Sequence, residues 1–467
     1  MTTTIERYHE AASRLDALID LTPTPTDTSR QAVRARAEIR MGRLVRFLDR
    51  LGNPQEGRPL IHIGGTSGKG STSTTLAAIL TAAGYRTGLH TSPYLQTPLE
   101  KLQIDGRLID PDVFVGVAAE FLDEHDRWIA DGEEPLTYGE AWNALTWLFF
   151  RAEKVDVGVV EVGAGGRFDL TNILTPVLSV ITTVGIDHTN TLGPTIEDIA
   201  WHKAGIIKPG LPALTTVPNP VAREIIIEEA RLQKAPLTVV DLDEAITGVV
   251  TGPQGTSWRE RASGEEHRMG MAGSFQARNG QAALSAARLL DDLGFSIPPE
   301  AIAAGMASAR IPGRAELIPG DRRVLLDGAH NPEKLAAFAR DVPALLPVAE
   351  GGRRIGVVGL LDAKKGDEML QSIVPALDLL IATSPQVLAK ASKQAGSVAE
   401  LAREAGFVGE VIVERDPTNA ITRALAEADS ARDDAVLVTG SLYLVGNIRE
   451  RWYPERDIVA QRTSWPE

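Results

Sequence analysis

The chain has 467 residues, a formal net charge of -14 and 43% hydrophobic residues. This length and composition predict about two or three globular domains and exclude a disordered chain. The acidic balance argues against a nucleic acid or an anionic membrane as partner, because either would need a broad basic face. Cysteine is absent, which excludes disulfides and thiolate chemistry, so any metal must bind to oxygen or imidazole ligands.

The N-terminal region predicts two helices, over residues 5–20 and 30–52, joined by a loop rich in threonine and proline. The first of these segments is charged and amphipathic, and it lacks the apolar core of a signal peptide. No run approaches the roughly 18 consecutive apolar residues that a membrane span needs. We therefore expect a cytoplasmic protein.

The next stretch predicts a nucleotide site. An apolar strand enters the glycine-rich turn Gly65-Thr66-Ser67-Gly68-Lys69-Gly70-Ser71, and a helix follows over residues 71–83. This order directs backbone N–H groups and the positive end of a helix at one point, where a polyphosphate would bind. Lys69 adds a mobile cation, and Ser71 or Thr72 adds a hydroxyl for Mg²⁺. The turn departs from the standard P-loop, since position 63 is Ile and Gly70 follows the lysine, so a glycine-rich turn without a ligand is the alternative.

Three further strands are predicted, each ending in polar residues: a short strand after a turn at Gly84, and two apolar runs typical of buried parallel strands. The first precedes Thr91-Ser92-Pro93, the second covers residues 155–162 and contains Glu161, and the third covers residues 177–184. Open α/β sheets bind ligands at the carboxyl ends of their strands. The alternation of strands and helices therefore predicts a doubly wound parallel sheet with its ligand site at this edge.

The rest of the chain predicts an insertion and a second domain. Residues 236–270 are β-prone and rich in turns, which indicates a small antiparallel insertion, and a helix near 277–293 follows. Further strands alternate with helices over residues 323–327, 354–360, 379–383, 410–413 and 435–439. We assign residues 1–308 to a P-loop domain and residues 309–467 to a smaller, Rossmann-like C-terminal α/β domain.

Together these segments resemble the folylpolyglutamate synthase/dihydrofolate synthase family of the Mur-ligase superfamily, over about residues 35–450. Each fragment alone is weak, but their order and spacing make the resemblance specific. Besides the glycine-rich turn and Thr91-Ser92-Pro93, the markers are Val160–Arg167, Thr171-Asn172, Thr183–Thr189, Lys203–Ile206, Lys208–Gly210, Pro312–Arg314, Leu326–Pro332 and Gly440–Tyr443.

The resemblance implies a Mur-ligase-like fold and an ATP-dependent ligase that adds L-glutamate to a folate or to dihydropteroate. In this family ATP phosphorylates the acceptor carboxylate, and the amine of glutamate then displaces phosphate from the acyl phosphate. This chemistry needs groups that hold phosphate, Mg²⁺ (with Mn²⁺ as the alternative) and two positioned co-substrates. It needs no protein nucleophile, which agrees with the absence of cysteine. We expect only small-molecule partners and a monomer.

In the first domain, the resemblance assigns Lys69 and the amides around it to the β- and γ-phosphates. It assigns Ser92, Glu161 and His188 to the metal, a donor set that suits Mg²⁺ or Mn²⁺. Lys203 matches a lysine that is carbamylated in the family and serves as a second-metal ligand. The alternatives are a structural acid for Glu161, a loop histidine for His188 and a solvated lysine for Lys203.

Further along the chain, Asn279 matches an asparagine near adenine. Arg314 and Asp327 match contacts to the phosphate and ribose of ATP, and His330 matches a histidine beside the reacting groups. Arg314 in a hinge salt bridge and His330 as a helix cap are the alternatives.

The sequence departs from the family pattern at several positions. Ser67 and Phe275 replace an asparagine and a histidine, and neither change removes the groups that bind ATP. His202 replaces a glutamate and places an imidazole beside the predicted metal site. Tyr94 replaces a histidine and Pro98 an aromatic residue, where the pterin acceptor would approach.

Three other functions compete with a folate ligase. The same chemistry on a different carboxylate acceptor would use the same ATP-binding residues. A nucleotide-gated regulatory protein without catalysis is disfavoured by the intact set of predicted catalytic residues. A plain P-loop hydrolase would leave the second domain without a role.

Overall fold

The computed structural model describes residues 4–19, 29–320, 323–387 and 390–467. Most of the loop predicted between the first two helices therefore lies outside the described residues. The two helices are present and end earlier than predicted, at Asp16 and Arg50.

The helices, in chain order, are α1 (Thr4–Asp16), α2 (Arg30–Arg50), α3 (Lys69–Ala82), α4 (Pro111–Ala130), α5 (Tyr138–Ala152), α6 (Thr189–Leu192), α7 (Ile196–Ala204), α8 (Pro220–Leu232), α9 (Leu242–Ala245), α10 (Phe275–Asp292), α11 (Pro299–Ser308), α12 (Pro332–Leu345), α13 (Gly366–Ile373), α14 (Ala395–Glu404), α15 (Pro417–Glu427), α16 (Leu442–Arg449) and α17 (Glu455–Gln461). The strands are β1 (Leu60–Gly64), β2 (Thr87–His90), β3 (Leu102–Ile104), β4 (Arg107–Leu108), β5 (Val157–Glu161), β6 (Leu178–Ile181), β7 (Ala213–Thr215), β8 (Leu237–Val239), β9 (Ile246–Gly252), β10 (Gly255–Glu260), β11 (Glu266–Met269), β12 (Glu316–Ile318), β13 (Arg323–Leu326), β14 (Arg354–Val358), β15 (Leu379–Ala382), β16 (Glu410–Val413) and β17 (Ala435–Thr439).

The largest sheet has eight strands in the order β4-β3-β2-β5-β1-β6-β7-β8. Its six strands from β2 to β8 are parallel, and β3 and β4 form an antiparallel edge. The strands that precede the three predicted polar segments, β2, β5 and β6, thus lie around β1, with their carboxyl ends at one edge. The doubly wound parallel sheet is confirmed.

Both faces of this sheet are covered, which explains why its central strands are mostly apolar. Successive residues of β5 enter opposite cores: Val159 packs with α3 and α10, and Val160 packs with α4 and α5. Because side chains alternate along a strand, a strand buried on both faces lacks the regular alternation of apolar and polar residues.

The predicted insertion is smaller than expected. The antiparallel sheet contains only β9, β10 and β11, whereas β8, placed in the insertion from sequence, pairs parallel with β7 in the main sheet. That part of the prediction was wrong, because a short β-prone segment does not reveal its pairing partner.

The second α/β region is a six-stranded sheet in the order β12-β13-β17-β14-β15-β16, parallel except for β12. The boundary at residues 308 and 309 follows the end of α11, and the division remains a prediction. The last helix returns to the first region, where Val459 enters its core and Glu455 accepts a hydrogen bond from Tyr8. None of the helices in the described ranges combines the length and apolar character needed to cross a membrane.

Close packing of α11 on α3 gives a stability test. A Cβ added at Gly305 would lie 2.4 Å from the Cα of Ile79, so Gly305→Ala should push the helices apart and destabilise the protein by about 2 kcal/mol. Gly116→Ala, on the exposed side of α4 with no atom near the added Cβ, should stabilise by about 0.5–1 kcal/mol. Urea denaturation measures both, and equal midpoints for the two variants would contradict this packing argument.

Candidate functional site

One cavity of about 580 Å³ lies between the two α/β regions. All the residues that the sequence predicted to bind ATP or the metal or to act in catalysis line it, from both regions, apart from the alternative hydroxyl of Thr72. The set comprises Gly65, Thr66, Ser67, Gly68, Lys69, Gly70, Ser71, Ser92, Glu161, His188, Lys203, Asn279, Arg314, Asp327 and His330.

The glycine-rich turn is fixed by the chain that follows β6. The backbone N–H groups of Thr66 and Ser67 donate to Thr183, at 2.8 Å each. A Cβ at Gly65 would lie 2.0 Å from Thr182 Oγ1, and one at Gly68 would lie 2.3 Å from Asn279 Oδ1. Both glycines have positive φ, so glycine is required for the conformation and for the space. This packing brings Asn279 against the turn, as its predicted place near a nucleotide requires.

Lys69 and Glu161 face each other across the start of α3. The Lys69 ammonium lies 3.8 Å from a carboxylate oxygen of Glu161, and the other oxygen accepts a 3.1 Å hydrogen bond from the backbone N–H of Ser92. Burial raises the pKa of Glu161, and the nearby Lys69 opposes that rise. A buried carboxylate beside a serine fits an oxygen-preferring divalent cation.

His188 lies in the loop after β6, at the N-terminal end of α6. Burial lowers its pKa, and the neighbouring Asp187 opposes the change. A neutral imidazole is the form that binds metal. With the hydroxyl of Ser92 and the carboxylate of Glu161, the cavity contains a mixed oxygen and nitrogen donor set.

Lys203 is buried near the end of α7, with 3% of its surface exposed. This burial excludes the solvated lysine considered from sequence. Burial, with repulsion from Lys69, lowers its pKa to about 7. Within the described ranges, no carboxylate lies at ion-pair distance from its ammonium.

His202 does not line the main cavity, so the expected imidazole beside the metal site was wrong. Its ring packs against Phe168 and Trp201, with centroids at 5.5 and 5.1 Å. These aromatic residues line a second cavity of about 450 Å³. The sequence could not show this, because adjacent residues of a helix point in different directions.

The second region contributes three predicted residues around the turn after β13. The carboxylate of Asp327 is buried and accepts hydrogen bonds from the N–H groups of Ala315 and Ala329, at 2.9 and 2.8 Å. Burial raises its pKa, although Arg314 opposes this. No salt bridge of Arg314 occurs among the described residues, which removes the hinge salt bridge as an explanation for it.

His330 has a defined orientation. Its Nδ1 lies 2.9 Å from the carbonyl oxygen of Gly328, which can only accept, so Nδ1 carries the proton and Nε2 is the acceptor nitrogen. Burial lowers the pKa of this ring well below its usual value. Asn331, and not His330, caps α12 by accepting from the N–H of Lys334. The capping alternative for His330 was therefore wrong.

Lys334 is a cavity residue that the sequence analysis missed. Its ammonium lies 3.4 Å from Nε2 of His330, and burial together with Arg314 lowers its pKa to about 7. A signal was present, because a lysine in the first turn of a helix opposes the helix dipole and needs another reason to be there.

The loop after β2 forms the remaining wall. Tyr94 lines the cavity, whereas Pro98 begins a short 3₁₀ turn outside it. Behind Tyr94, the buried ammonium of Lys101 lies 5.2 Å from the centroid of its ring, 4.6 Å from Tyr138 and 4.2 Å from Trp142. These cation–π contacts fix the tyrosine as a wall of the cavity.

Comparison with known proteins agrees with this geometry. Residues 63–287 match the Mur ligase middle domain, and residues 313–442 match the Mur ligase glutamate ligase domain. The chain is 33% identical to the dihydrofolate synthase/folylpolyglutamate synthase of Bacillus subtilis over 421 residues, which are 88% of this chain and 94% of the relative.

Solved structures extend the similarity to the whole fold. Mycobacterium tuberculosis folylpolyglutamate synthase complexed with ADP superposes with a TM-score of 0.82 and 28% identity, over 96% of this chain and 99% of that one. Escherichia coli FolC in complex with DHPP and ADP gives a TM-score of 0.75 and 27% identity, over 96% and 98% of the two chains.

The burial of Lys203 predicts a pH-dependent cost in stability. The pKa of its amine falls from about 10.4 in the unfolded chain to about 7 in the fold. The unfolded chain therefore binds more protons between these values, and wild-type stability rises as the pH rises through this window. In CO₂-free buffer without ligands, Lys203→Met should be about 2 kcal/mol more stable at pH 7, and the difference should shrink towards pH 10.

Chemical denaturation at several pH values measures this difference. Lys365→Met, which alters an exposed lysine, serves as the control and should show no such trend. A constant difference between wild type and Lys203→Met across the window would refute the assigned cost.

Proposed function

Because the chain belongs to the folylpolyglutamate synthase/dihydrofolate synthase family, we propose that it joins L-glutamate to the carboxylate of a folate, or of dihydropteroate, at the expense of ATP. The observation that carries this proposal is the single cleft in which the glycine-rich turn, a metal donor set and the second region's cations meet. An amide ligase must hold a triphosphate and two carboxylate substrates together, and such a cleft fits that need.

We assign the triphosphate to the glycine-rich turn and Lys69, and the adenosine to the side of the cleft with Asn279 and Asp327. The N-terminal end of α3 supplies unpaired N–H groups and a positive dipole for the phosphates. Arg314 then adds charge from the second region. The Lys69–Glu161 contact supports this arrangement, since Lys69 is already placed at the helix start.

We assign Mg²⁺ to Ser92, Glu161 and His188, whose donor set fits it; Mn²⁺ is the alternative ion. When bound, the metal would neutralise charge that develops on the phosphates. The protein's own part is to hold these donors at the edge where β2, β5 and β6 end.

The reaction proceeds in two displacements. The acceptor carboxylate attacks the γ-phosphorus and ADP leaves, which gives an acyl phosphate; the amine of glutamate then attacks the acyl carbon and phosphate leaves. Nε2 of His330 is the nitrogen that can take the proton that the amine loses. The ring is neutral before the step, because burial lowers its pKa.

We also propose that Lys203 is carbamylated, which would turn a buried cation into an anionic ligand for a second metal. Three features support this: its burial, the lack of a carboxylate partner and an amine that is partly neutral near pH 7. Only the neutral amine can attack CO₂. We further propose a monomer that works in the cytoplasm, to be tested by light scattering and cell fractionation.

Phosphate release from ATP tests the function. With Mg²⁺ or Mn²⁺, release should require both glutamate and a pterin acceptor, and comparison of tetrahydrofolate with dihydropteroate identifies the acceptor. Lys69→Met should lower the rate by about 100-fold or more, since it removes a charge that acts on the transition state. Full release without glutamate would indicate a hydrolase, and ATP binding with neither pterin active would indicate another acceptor.

Bicarbonate tests the carbamate. Protein prepared without CO₂ should lose most of its ligase activity and regain it with bicarbonate, and labelled bicarbonate should give a carbamate signal in ¹³C NMR. Lys203→Met should show neither the recovery nor the signal. Full activity in CO₂-free wild-type enzyme would rule the modification out.

A further inference from the structure

The hairpin of β10 and β11 carries polar side chains on its inward face. Trp258 and His267 lie opposite each other across the two strands, and Glu260, two residues after Trp258, faces the same way. Glu260 and His267 are only 8% and 7% exposed. Two ionisable side chains thus occupy positions where apolar residues normally lie.

Glu260 is fully hydrogen-bonded. Arg288 donates to its two oxygens at 2.6 and 3.1 Å, Gln281 donates at 3.0 Å and Ser263 at 2.8 Å. The hydrogen bonds from Arg288 lower the pKa of this carboxyl to about 2, so it is an anion at physiological pH.

His267 is not satisfied in the same way. Its Nε2 is buried and has no hydrogen-bond partner within the part of the chain that the structure describes. This nitrogen lies 3.9 Å from Oε2 of Glu260 and 3.9 Å from Oε2 of Glu265. Both distances are too long for a hydrogen bond, and a buried ring nitrogen without a partner needs an explanation.

The space between Nε2 of His267 and the two carboxylates is wide enough for a metal ion. Two ligand atoms that are each about 2.1 Å from one zinc ion lie at most about 4.2 Å apart. Both distances from Nε2 of His267, at 3.9 Å, meet this limit. All three ligand atoms lie within 4.8 Å of one another, so the exposed side chain of Glu265 would move slightly inward to complete the site. We propose that these residues form a zinc-type metal site, separate from the catalytic cleft.

The chemistry of the donors favours a transition metal. One imidazole with two carboxylates suits zinc and its neighbours, whereas Mg²⁺ and Ca²⁺ prefer six or more oxygen ligands. Gln281 and Arg288 hold Oε1 of Glu260, while Arg288 and Ser263 also donate to Oε2. These bonds fix the orientation of the carboxylate, and a metal would share Oε2 with them. Glu265 is 56% exposed, which leaves a path for the ion from solvent.

The site is structural in character. None of its three ligands lines the catalytic cavity, but Gln281 and Arg288 belong to α10, the helix that also carries Asn279. A metal here would therefore connect the β10–β11 hairpin to the helix that packs against the glycine-rich turn.

Zinc uptake by the full-length protein tests the proposal. Chelator-treated protein is dialysed against Zn²⁺ with excess Mg²⁺ and ADP, which occupy the cleft, and bound zinc is measured by atomic absorption. Wild type should hold one more equivalent than His267→Gln or Glu265→Gln. Zinc should also raise the melting temperature of wild type by a few degrees, because it binds only the folded state.

The matched control is Glu266→Gln, which makes the same change on the outward face of the hairpin and should behave as wild type. Since Glu265 is exposed, its variant will fold and should keep ligase activity. Equal zinc uptake in all four proteins would overturn the proposal. The proposal would also fail if zinc left the melting temperature unchanged while a lower pH stabilised wild type relative to His267→Gln. In that case a proton on His267, and not a metal, would bridge the two carboxylates.

Discussion

The catalytic cleft concentrates cations in a chain that is acidic overall. Lys69, Lys203, Arg314 and Lys334 line one cavity, and two of the three lysines have pKa values near 7 through burial and mutual repulsion. The buried carboxyls of Glu161 and Asp327 are pushed in the opposite direction, towards protonation. The ligand-free cleft therefore holds its ionisable groups away from their preferred charge states, and a bound polyanion with a divalent cation would relieve both strains.

The charged groups of the cleft come from separate motifs, and the ends of the parallel strands bring these motifs together. The polar segments after β1, β2, β5 and β6 were predicted from sequence because each follows a segment that reads as a strand, and parallel strands bring their ends together. The burial of Lys203 was not predicted, although Ile199 and Ala200, four and three residues before it, share its face of α7 and are buried. Lys334 was missed although it stands in the first turn of α12; its place in the cavity with the glycine-rich turn depends on the tertiary fold. The wrong placement of β8 shows the same limit, because strand pairing depends on contacts distant in sequence.

The loop between Ser92 and Glu100 links the two regions physically. At one end its backbone contacts the predicted metal ligand Glu161, and Glu100 accepts hydrogen bonds from the N–H groups of Leu95 and Gln96 at the other. Its middle contacts the second region, because Arg449 donates to the side chain of Gln96 at 2.5 Å and pairs with Glu316 at 2.8 Å. Arg449 is completely buried, so this contact is held from all sides and moves with α16.

A second connection limits how the regions move. The first connection is the chain that joins α11 to β12. The second is the C-terminal segment, which returns to the first region: the backbone carbonyl of Arg462 accepts from the N–H of Leu108, and the carboxylate of Glu455 accepts from the hydroxyl of Tyr8. Two connections between rigid bodies favour rotation about a line through both over free separation. The Gln96–Arg449 contact joins α16 of the second region to the loop that carries Ser92 and Tyr94. A rotation of the second region would move Arg314 and His330 relative to Lys69 and, through Gln96, would act on the loop that carries Ser92 and Tyr94.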